Sequence, residues 1–319
     1  MRLYFATWLA ERPQKDVLDK YDIKRRLLSF QRIRQSKPIV TLEEHTLPDL
    51  EIMLDSGAFS AWTRGIPIDI DDYAQFVLDN PGVFSIVANL DVIPGSKGRT
   101  PTQVEINKAA QAGWENWKYL EKKLPGTKIL HAFHYGESDA WLKKIMGETD
   151  YLAIGGIAMG LTTLQRQAWL DDLMQRVLTD DDGRPVRKFH GFGVTSLDIL
   201  KRYPWFSVDS TSWVLTGRFG GVYIPLGSAD HKVVFSEQSP KQSEHGQHFS
   251  TYEPVHKRMI EEYLAEKGFT VEELTTNYIK RDELNVEFFL DIERNLQSDV
   301  FKKTGGRSGQ PTWESLGLR

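Results

Sequence analysis

Short apolar runs punctuate this chain, and several of them stop on an aspartate. The runs are Arg2–Thr7, Glu51–Asp55, Phe84–Asp91, Lys128–His134, Tyr151–Gly155, Lys188–Gly193, Trp205–Asp209 and Val222–Leu226. Each has the length and the β-branched or aromatic content of a buried strand. Helical patterns lie between them. Ile70–Leu78 follows a capping Asp69, and Thr102–Lys123 opens with a Thr-x-x-Glu capping box of Thr102 and Glu105. Leu164–Leu178 repeats apolar residues at helical spacing, and Ser196–Tyr203 reads as a short helix or turn. Eight strands alternating with helices predict an α/β chain folded as a (β/α)8 TIM barrel with a C-terminal helical extension. A doubly wound open sheet would want a Gly-rich phosphate turn after its first strand. Here that strand runs into Trp8-Leu-Ala-Glu-Arg12, without glycine.

The periodicity changes after Leu226. Residues 1–227 are expected to form the barrel, and 228–300 a loop and helical extension. In that extension Gly227–Ser250 reads as polar loop, and Tyr252–Lys267 and Glu283–Gln297 as helices. Residues 301–319, with Gly305, Gly306, Gly309 and Pro311, read as a flexible tail. A hydrophobic fraction of 40% over 319 residues supports a sizeable core. A net charge of -4 exerts no global pull on nucleic acid, so any such contact must come from local basic patches. The absence of cysteine excludes disulfides, thiolate nucleophiles and Cys-based metal sites. Met1–Asp16 is too short in apolar length for a signal peptide, and no window reaches the length of a membrane span. The expectation is a cytoplasmic protein with no membrane partner.

In a barrel the C-terminal ends of the strands meet at one mouth, so residues far apart in sequence become neighbours. That placement gathers Asp55, Asp91, His134, Gly155 with Gly156, His190, and Asp209 with Arg218. A single Asp before Ser-Gly is usually an Asx-turn or a cap. Three of them at strand ends read as one site, because buried carboxylates raise one another's pKa and suit acid–base or nucleophilic work. The glycine pair lets a flat ligand reach backbone N–H groups. His131 and His134, flanking Phe133, are taken to share a face, His131 in the core and His134 nearer the mouth. The densest basic cluster is Lys24, Arg25, Arg26, Arg32, Arg34 and Lys37. It reads either as a solvated helix face balanced by Asp16, Asp19 and Asp22, or as a flank of the mouth that contacts phosphates. Lys97 and Arg99, just after Asp91, are placed for a nucleic-acid backbone contact. His245, His248 and His256 lack acid or thiol partners at ligand spacing and read as solvated rather than metal-binding.

Six segments carry a resemblance. Asp55-Ser-Gly-Ala-Phe-Ser60, Asn89-Leu-Asp-Val-Ile-Pro94, Phe133-His-Tyr-Gly136, Ile154-Gly-Gly-Ile-Ala158, Gly191-Phe-Gly193 and Phe206-Ser-Val-Asp209-Ser-Thr-Ser-Trp213 occur in this order. They look like the successive signature blocks of the queuine and archaeosine tRNA-guanine transglycosylase superfamily, from about Leu54 to Gly221. The resemblance implies a (β/α)8 barrel that exchanges guanine for a 7-deazaguanine base. It implies that Asp209 attacks the sugar C1′ as nucleophile and that Asp55 is the acid–base. Asp91 would accept from the base's N1–H and amine edge, and the Gly155-Gly156 backbone would donate to its O6. Phe59 and His190 would stack the base, and Arg218 would hold a flanking phosphate.

The chain also departs from that pattern. His134 stands where the tRNA enzymes carry a base-reading Gln, and the turn from Asp209 to Arg218 is longer than theirs. Their Cys-x-Cys-x-x-Cys plus His zinc site has no counterpart, and Leu284 stands in place of the histidine. The structural zinc is therefore expected to be absent, and the chemistry itself asks for no cofactor. These departures point to the DNA-modifying branch (the DpdA type of phages and bacterial modification islands), whose products hide DNA from restriction nucleases. The implied partners are DNA in preference to tRNA, a free 7-deazaguanine such as the 7-cyano base, and accessory modification proteins. The implied compartment is the cytoplasm, that of the host for a phage-encoded chain. Three alternatives stay open: a tRNA enzyme, a non-catalytic nucleic-acid-binding barrel subunit, and a metal-dependent hydrolase built on Asp55, Asp91 and His134.

Overall fold

The computed structural model describes residues 1–7, 12–35, 49–96, 98–156, 161–194, 196–226, 229–239, 247–295 and 300–301. Lys97, His245 and the predicted tail after Phe301 lie outside the described residues. The parallel strands are β1 (Arg2–Thr7), β2 (Arg25–Ser29), β3 (Glu51–Asp55), β4 (Phe84–Ala88), β5 (Ile129–Leu130), β6 (Ala132–His134), β7 (Tyr151–Gly155), β8 (Lys188–Gly191) and β9 (Ser207–Ser210). They form one nine-stranded sheet in the order β5-β4-β3-β2-β1-β9-β8-β7-β6. The two ends of that order, β5 and β6, are separated in the chain only by His131, so the sheet is a nearly closed parallel barrel.

The helices are α1 (Arg12–Lys20), α2 (Phe30–Gln35), α3 (Ala58–Arg64), α4 (Ile70–Leu78), α5 (Gln103–Lys123), α6 (Asp139–Glu148), α7 (Thr163–Leu173, extended by a π turn over Met174–Leu178), α8 (Leu197–Arg202) and α9 (Ser212–Arg218). The expected caps are present. The Asp69 side chain accepts from the amides of Asp71 and Asp72, and Thr102 with Glu105 forms the full capping box.

Period-2 alternation sorts the strands' residues into two cores. Tyr4, Ala6, Leu27, Met53, Ile86, Ala132 and Ala153 fill the barrel interior. Leu3, Phe5, Leu28, Leu54, Val87, Phe133, Leu152 and Val208 face the helices, against Leu18, Tyr73, Trp117, Leu170 and Trp213. A third core lies around the antiparallel pair β10 (Gly221–Leu226) and β11 (Ala229–Val234), covered by α10 (Pro254–Glu266), α11 (Val271–Thr276) and α12 (Tyr278–Asn295). Helix α12 joins the two parts. Its Asn285 Nδ2 donates to Trp213 O on α9 at 3.0 Å, and its Oδ1 accepts from Tyr223 N at 2.9 Å. Among the described residues no helix is long and apolar enough to cross a membrane.

Two strand expectations are corrected. Val222–Leu226 is not in the barrel: its partner is β11, which falls in the segment expected to be loop. The missing stave is Arg25–Ser29, the middle of the basic cluster. Arg26 is wholly buried, donating to Ile23 O at 3.1 Å and to Asp19 at 2.5 Å, and Arg25 pairs with Glu293 at 2.5 Å. Ion pairs let two arginines enter a strand that offers only Leu27 and Leu28 as apolar signal. Strand β4 also stops at Ala88, three residues short of Asp91. There the Asn89 side-chain Nδ2 donates to Gly113 O at 2.8 Å and meets His131 Nδ1 at 2.9 Å.

Candidate active site

All the barrel strands point the same way, so their C-terminal ends share one rim. A cavity of about 500 Å³ opens there, lined by Asp55, Asp91, Asp209, His134, Gly155, Gly156 and Phe59. Its volume lies within the range of roughly 300–1,000 Å³ usual for small-molecule sites. Seven of the expected site residues thus meet in one place.

Asp55 ends β3 directly opposite Ser29 in the register of β2. Burial, reinforced by the charges of Asp209 and Asp91, pushes its carboxyl up to about 7, although the Gly57 amide and the Ser29 side chain pull the other way. Gly57 has a positive φ of 76°, and a Cβ there would stand 2.5 Å from Gln31 Cβ. Only glycine lets the chain turn back onto Asp55 at this point. A carboxyl balanced near neutrality can both deliver and accept a proton.

Asp209 is 8% exposed, at the floor of the cavity. Its Oδ1 accepts from the Gly193 amide at 2.8 Å and lies 3.2 Å from His190 Nε2. His190 was expected to stack a ligand. It is instead fully buried beneath Asp209, outside the cavity wall, with Nδ1 2.8 Å from Ser207 Oγ. The register explains this: His190 pairs with Ser207 across β8 and β9, so both side chains point into the barrel below the rim.

On the opposite wall His134 bridges two acids, with Nε2 3.1 Å from Asp91 Oδ2 and Nδ1 3.1 Å from Glu137 Oε1. Burial opposes a charge on the ring, but the two carboxylates outweigh it and hold the imidazole's pKa well above its ordinary value. Both ring nitrogens therefore donate. His134 pairs in register with Gly155, and a Cβ at 155 would stand 2.7 Å from the imidazole. Gly156 has a φ of +72° and packs against the Tyr135 amide. Both glycines are thus demanded by the fold, and both leave bare backbone at the cavity wall. His131 and His134 do not share a face. His131 sits at the break between β5 and β6 with its ring stacked on Trp117 at 4.9 Å, and burial pushes its pKa down to about 4.

Phe59 stands at the rim of the cavity on α3, 50% exposed and stacked on Trp62 at 6.0 Å. The remaining expected contacts are dispersed. Arg218 ends α9 outside the cavity wall, close enough to Asp282 of α12 for its charge to oppose the rise that burial imposes on that carboxyl. The longer turn after Asp209 is helix α9, and it carries Arg218 away from the mouth. Arg99 is exposed and bonded to Glu105. Arg32, one member of the basic cluster, lines the cavity, while Arg34 pairs with Asp72 at 2.9 Å. His248 caps a short turn and His256 lies edge-on to Tyr252. Among the described residues no group of three His, Asp or Glu side chains is arranged to hold a metal ion. Ser29 and Glu137 were not foreseen. Ser29 had no signal outside its pairing with Asp55, whereas Glu137, three residues after His134, could have been found from its spacing.

No protein-family model matches this chain, and no curated protein matches it in sequence. Its chemistry is read from the arrangement of the cavity.

Proposed function

We propose that this chain is a transglycosylase that exchanges guanine in DNA for a 7-deazaguanine base, a divergent relative of the tRNA-guanine transglycosylases. In this reading β5 and β6 act as one stave, which makes the barrel the eight-stranded (β/α)8 type. The elements after α9 are then its C-terminal extension.

The observation that carries the proposal is the division of labour among three carboxylates around one cavity. Asp209 is held by donors at one oxygen, Asp55 is poised near 7, and Asp91 is locked to an imidazolium. Double displacement uses each of them. An Asp209 oxygen forms a bond to C1′ as the C1′–N9 bond breaks, and the departing guanine takes the proton held by Asp55. The incoming deazaguanine gives its N9 proton back to Asp55, and N9 displaces Asp209 from C1′. Protons and electrons balance between the two half-reactions, so the sequence of steps calls for no redox partner.

Asp91 would accept from the base's N1–H and amine edge, oriented by His134, while the backbone at Gly155 and Gly156 faces O6. Arg32 takes the phosphate role first expected of Arg218, and the Phe59–Trp62 pair offers a stacking surface at the rim. A flipped nucleotide in single-stranded or opened DNA is the form that reaches this mouth. A hydrolase metal held by Asp55, Asp91 and His134 would have to displace the contact of His134 with Asp91 or with Glu137, because a ligating ring nitrogen must give up its proton. DNA is preferred to tRNA because the chain has no cysteine from which to build the tRNA enzymes' zinc site, and Leu284 packs into the third core instead.

The test is incubation with labelled guanine and either DNA or tRNA. Label is expected in DNA. Label in tRNA alone overturns the choice of substrate, and label in neither overturns the activity.

A further inference from the structure

Most of the barrel interior is apolar, apart from the Tyr4 hydroxyl, which donates to Glu51 at 3.2 Å at the N-terminal end of β3. Leu27, Met53, Ile86, Leu130, Ala132 and Ala153 fill most of it, yet a column of polar side chains climbs beneath Asp209. Tyr151 Oη lies 2.6 Å from Ser207 Oγ, Ser207 Oγ lies 2.8 Å from His190 Nδ1, and His190 Nε2 lies 3.2 Å from Asp209 Oδ1. Ser207 and His190 are fully buried and Tyr151 is 1% exposed, so their polar atoms are bonded along the column and not to bulk solvent. Among the described residues the other two carboxylates have shorter support: Asp55 leans on Gly57 and Ser29, and Asp91 on His134, which is itself bonded to Glu137.

The chain of bonds has one direction. With the Asp209 oxygen as acceptor, His190 Nε2 is the donor, and a ring carrying that single N–H accepts at Nδ1 from the Ser207 hydroxyl, which accepts in turn from Tyr151. Burial pushes the Tyr151 phenol up to about 12, so it keeps its proton at the head of the chain. The imidazole is also clamped edge-on from two sides, by Tyr4 at 6.0 Å and Phe192 at 4.6 Å.

We propose that His190 is the positioning residue of the nucleophile, relaying a one-way hydrogen-bond chain from Tyr151 and Ser207 to Asp209 Oδ1. With the Gly193 amide on the same oxygen, it sets the Asp209 rotamer so that attack falls to Oδ2. The role assigned to the attack rests on the transglycosylase reading. The relay itself does not.

The test has two arms. In protein with ¹⁵N-labelled histidine and no substrate, His190 is expected as the Nε2–H tautomer, and Ser207→Ala and Asp209→Asn should each shift its ring signals. An Nδ1–H tautomer, or signals indifferent to both substitutions, overturns the relay. In the exchange assay, His190→Phe is expected to lower kcat by about 10²-fold with KM little changed, as misplacement of a reacting group does. His190→Gln, which keeps an N–H donor, should recover most of that loss. Tyr151→Phe added to His190→Phe should cost nothing further. Full kcat in His190→Phe overturns the positioning role. Should that variant not fold, Ser207→Ala decides in the same assay, by a fall in kcat or by its absence. Wild-type protein that shows the relay tautomer but exchanges no base sinks the transglycosylase reading and leaves the relay standing.

Discussion

Burial raises the pKa of a carboxyl in two regions of this molecule, and only one of them looks like a site. At the mouth Asp55 is pushed up to about 7, beside Asp209 and Asp91 and open to a cavity. At the junction of α9 and α12 burial pushes Asp282 up to about 8, against the opposing pull of Arg218 and Arg281. There Oδ1 finds no hydrogen-bond partner and faces Gly217, while Arg281 spends its donors on the carbonyls of Gly217 at 2.8 Å and Leu274 at 2.5 Å. Desolvation is the leading cause in both places. What differs is access: the junction is solid packing, whereas the mouth lets a ligand meet the carboxyl and its neighbours. A displaced pKa marks burial, and it becomes chemistry only where space and complementary groups adjoin it.

The largest effect expected from breaking this contrast is at the mouth. Asp209→Asn should lower base exchange on the order of 10⁴-fold or more with little change in Tm. Full exchange by that variant would remove the nucleophile from the mouth. Gly217→Ala tests the junction. Its Cβ would stand 2.0 Å from Asp282 Oδ1, so overpacking should cost about 2 kcal/mol in thermal or denaturant unfolding, with exchange per folded molecule retained.

The third prediction concerns pH. An unfolded aspartate titrates near about 4, whereas Asp55 and Asp282 titrate at about 7 and about 8 when folded. Between those limits the folded chain holds protons that the unfolded chain has lost, so stability falls as pH rises and levels off above about 8. Asp282→Asn should match the wild type near about pH 4 and exceed it at about pH 8, by on the order of 1 kcal/mol per pH unit at most. Denaturation curves at several pH values would show a parallel slope in both proteins if the junction carboxyl were not the source. The smallest effect is at Ser29, whose hydrogen bond pulls the Asp55 pKa down. Under the proposed mechanism the exchange rate should decline as pH rises through about 7, where Asp55 would lose the proton assigned to the departing base, and Ser29→Ala should move that inflection upward. A pH–rate profile unchanged in Ser29→Ala would detach Asp55 from the proton transfer.

Local pattern made much of this arrangement legible. Arg2–Thr7, Glu51–Asp55 and Tyr151–Gly155 are strands over the residues their apolar runs mark, and Asp69, Thr102 and Glu105 cap the helices they announce. The gathering of Asp55, Asp91, Asp209, His134, Gly155, Gly156 and Phe59 followed from one premise, that strand ends in a parallel barrel converge. The failures have a common cause. Arg25 and Arg26 disguise β2 because their charges are neutralised by Asp19 and Glu293, residues outside the strand. Val222–Leu226 has the pattern of a barrel stave, and its partner alone says otherwise. Arg218 shares a segment with Asp209, but α9 turns it toward α12.

The sequence by itself determined most of the elements, the caps and the acids that line the mouth, because periodicity and capping act over a few residues. The tertiary structure alone decided which strands close the barrel, which acid each histidine serves, and which arginine reaches the cavity. Those outcomes depend on pairing register and side-chain direction between distant segments. His190 is the clearest case: in the chain it lies among glycines near a proposed ligand, and its register with Ser207 turns it under the floor of the site.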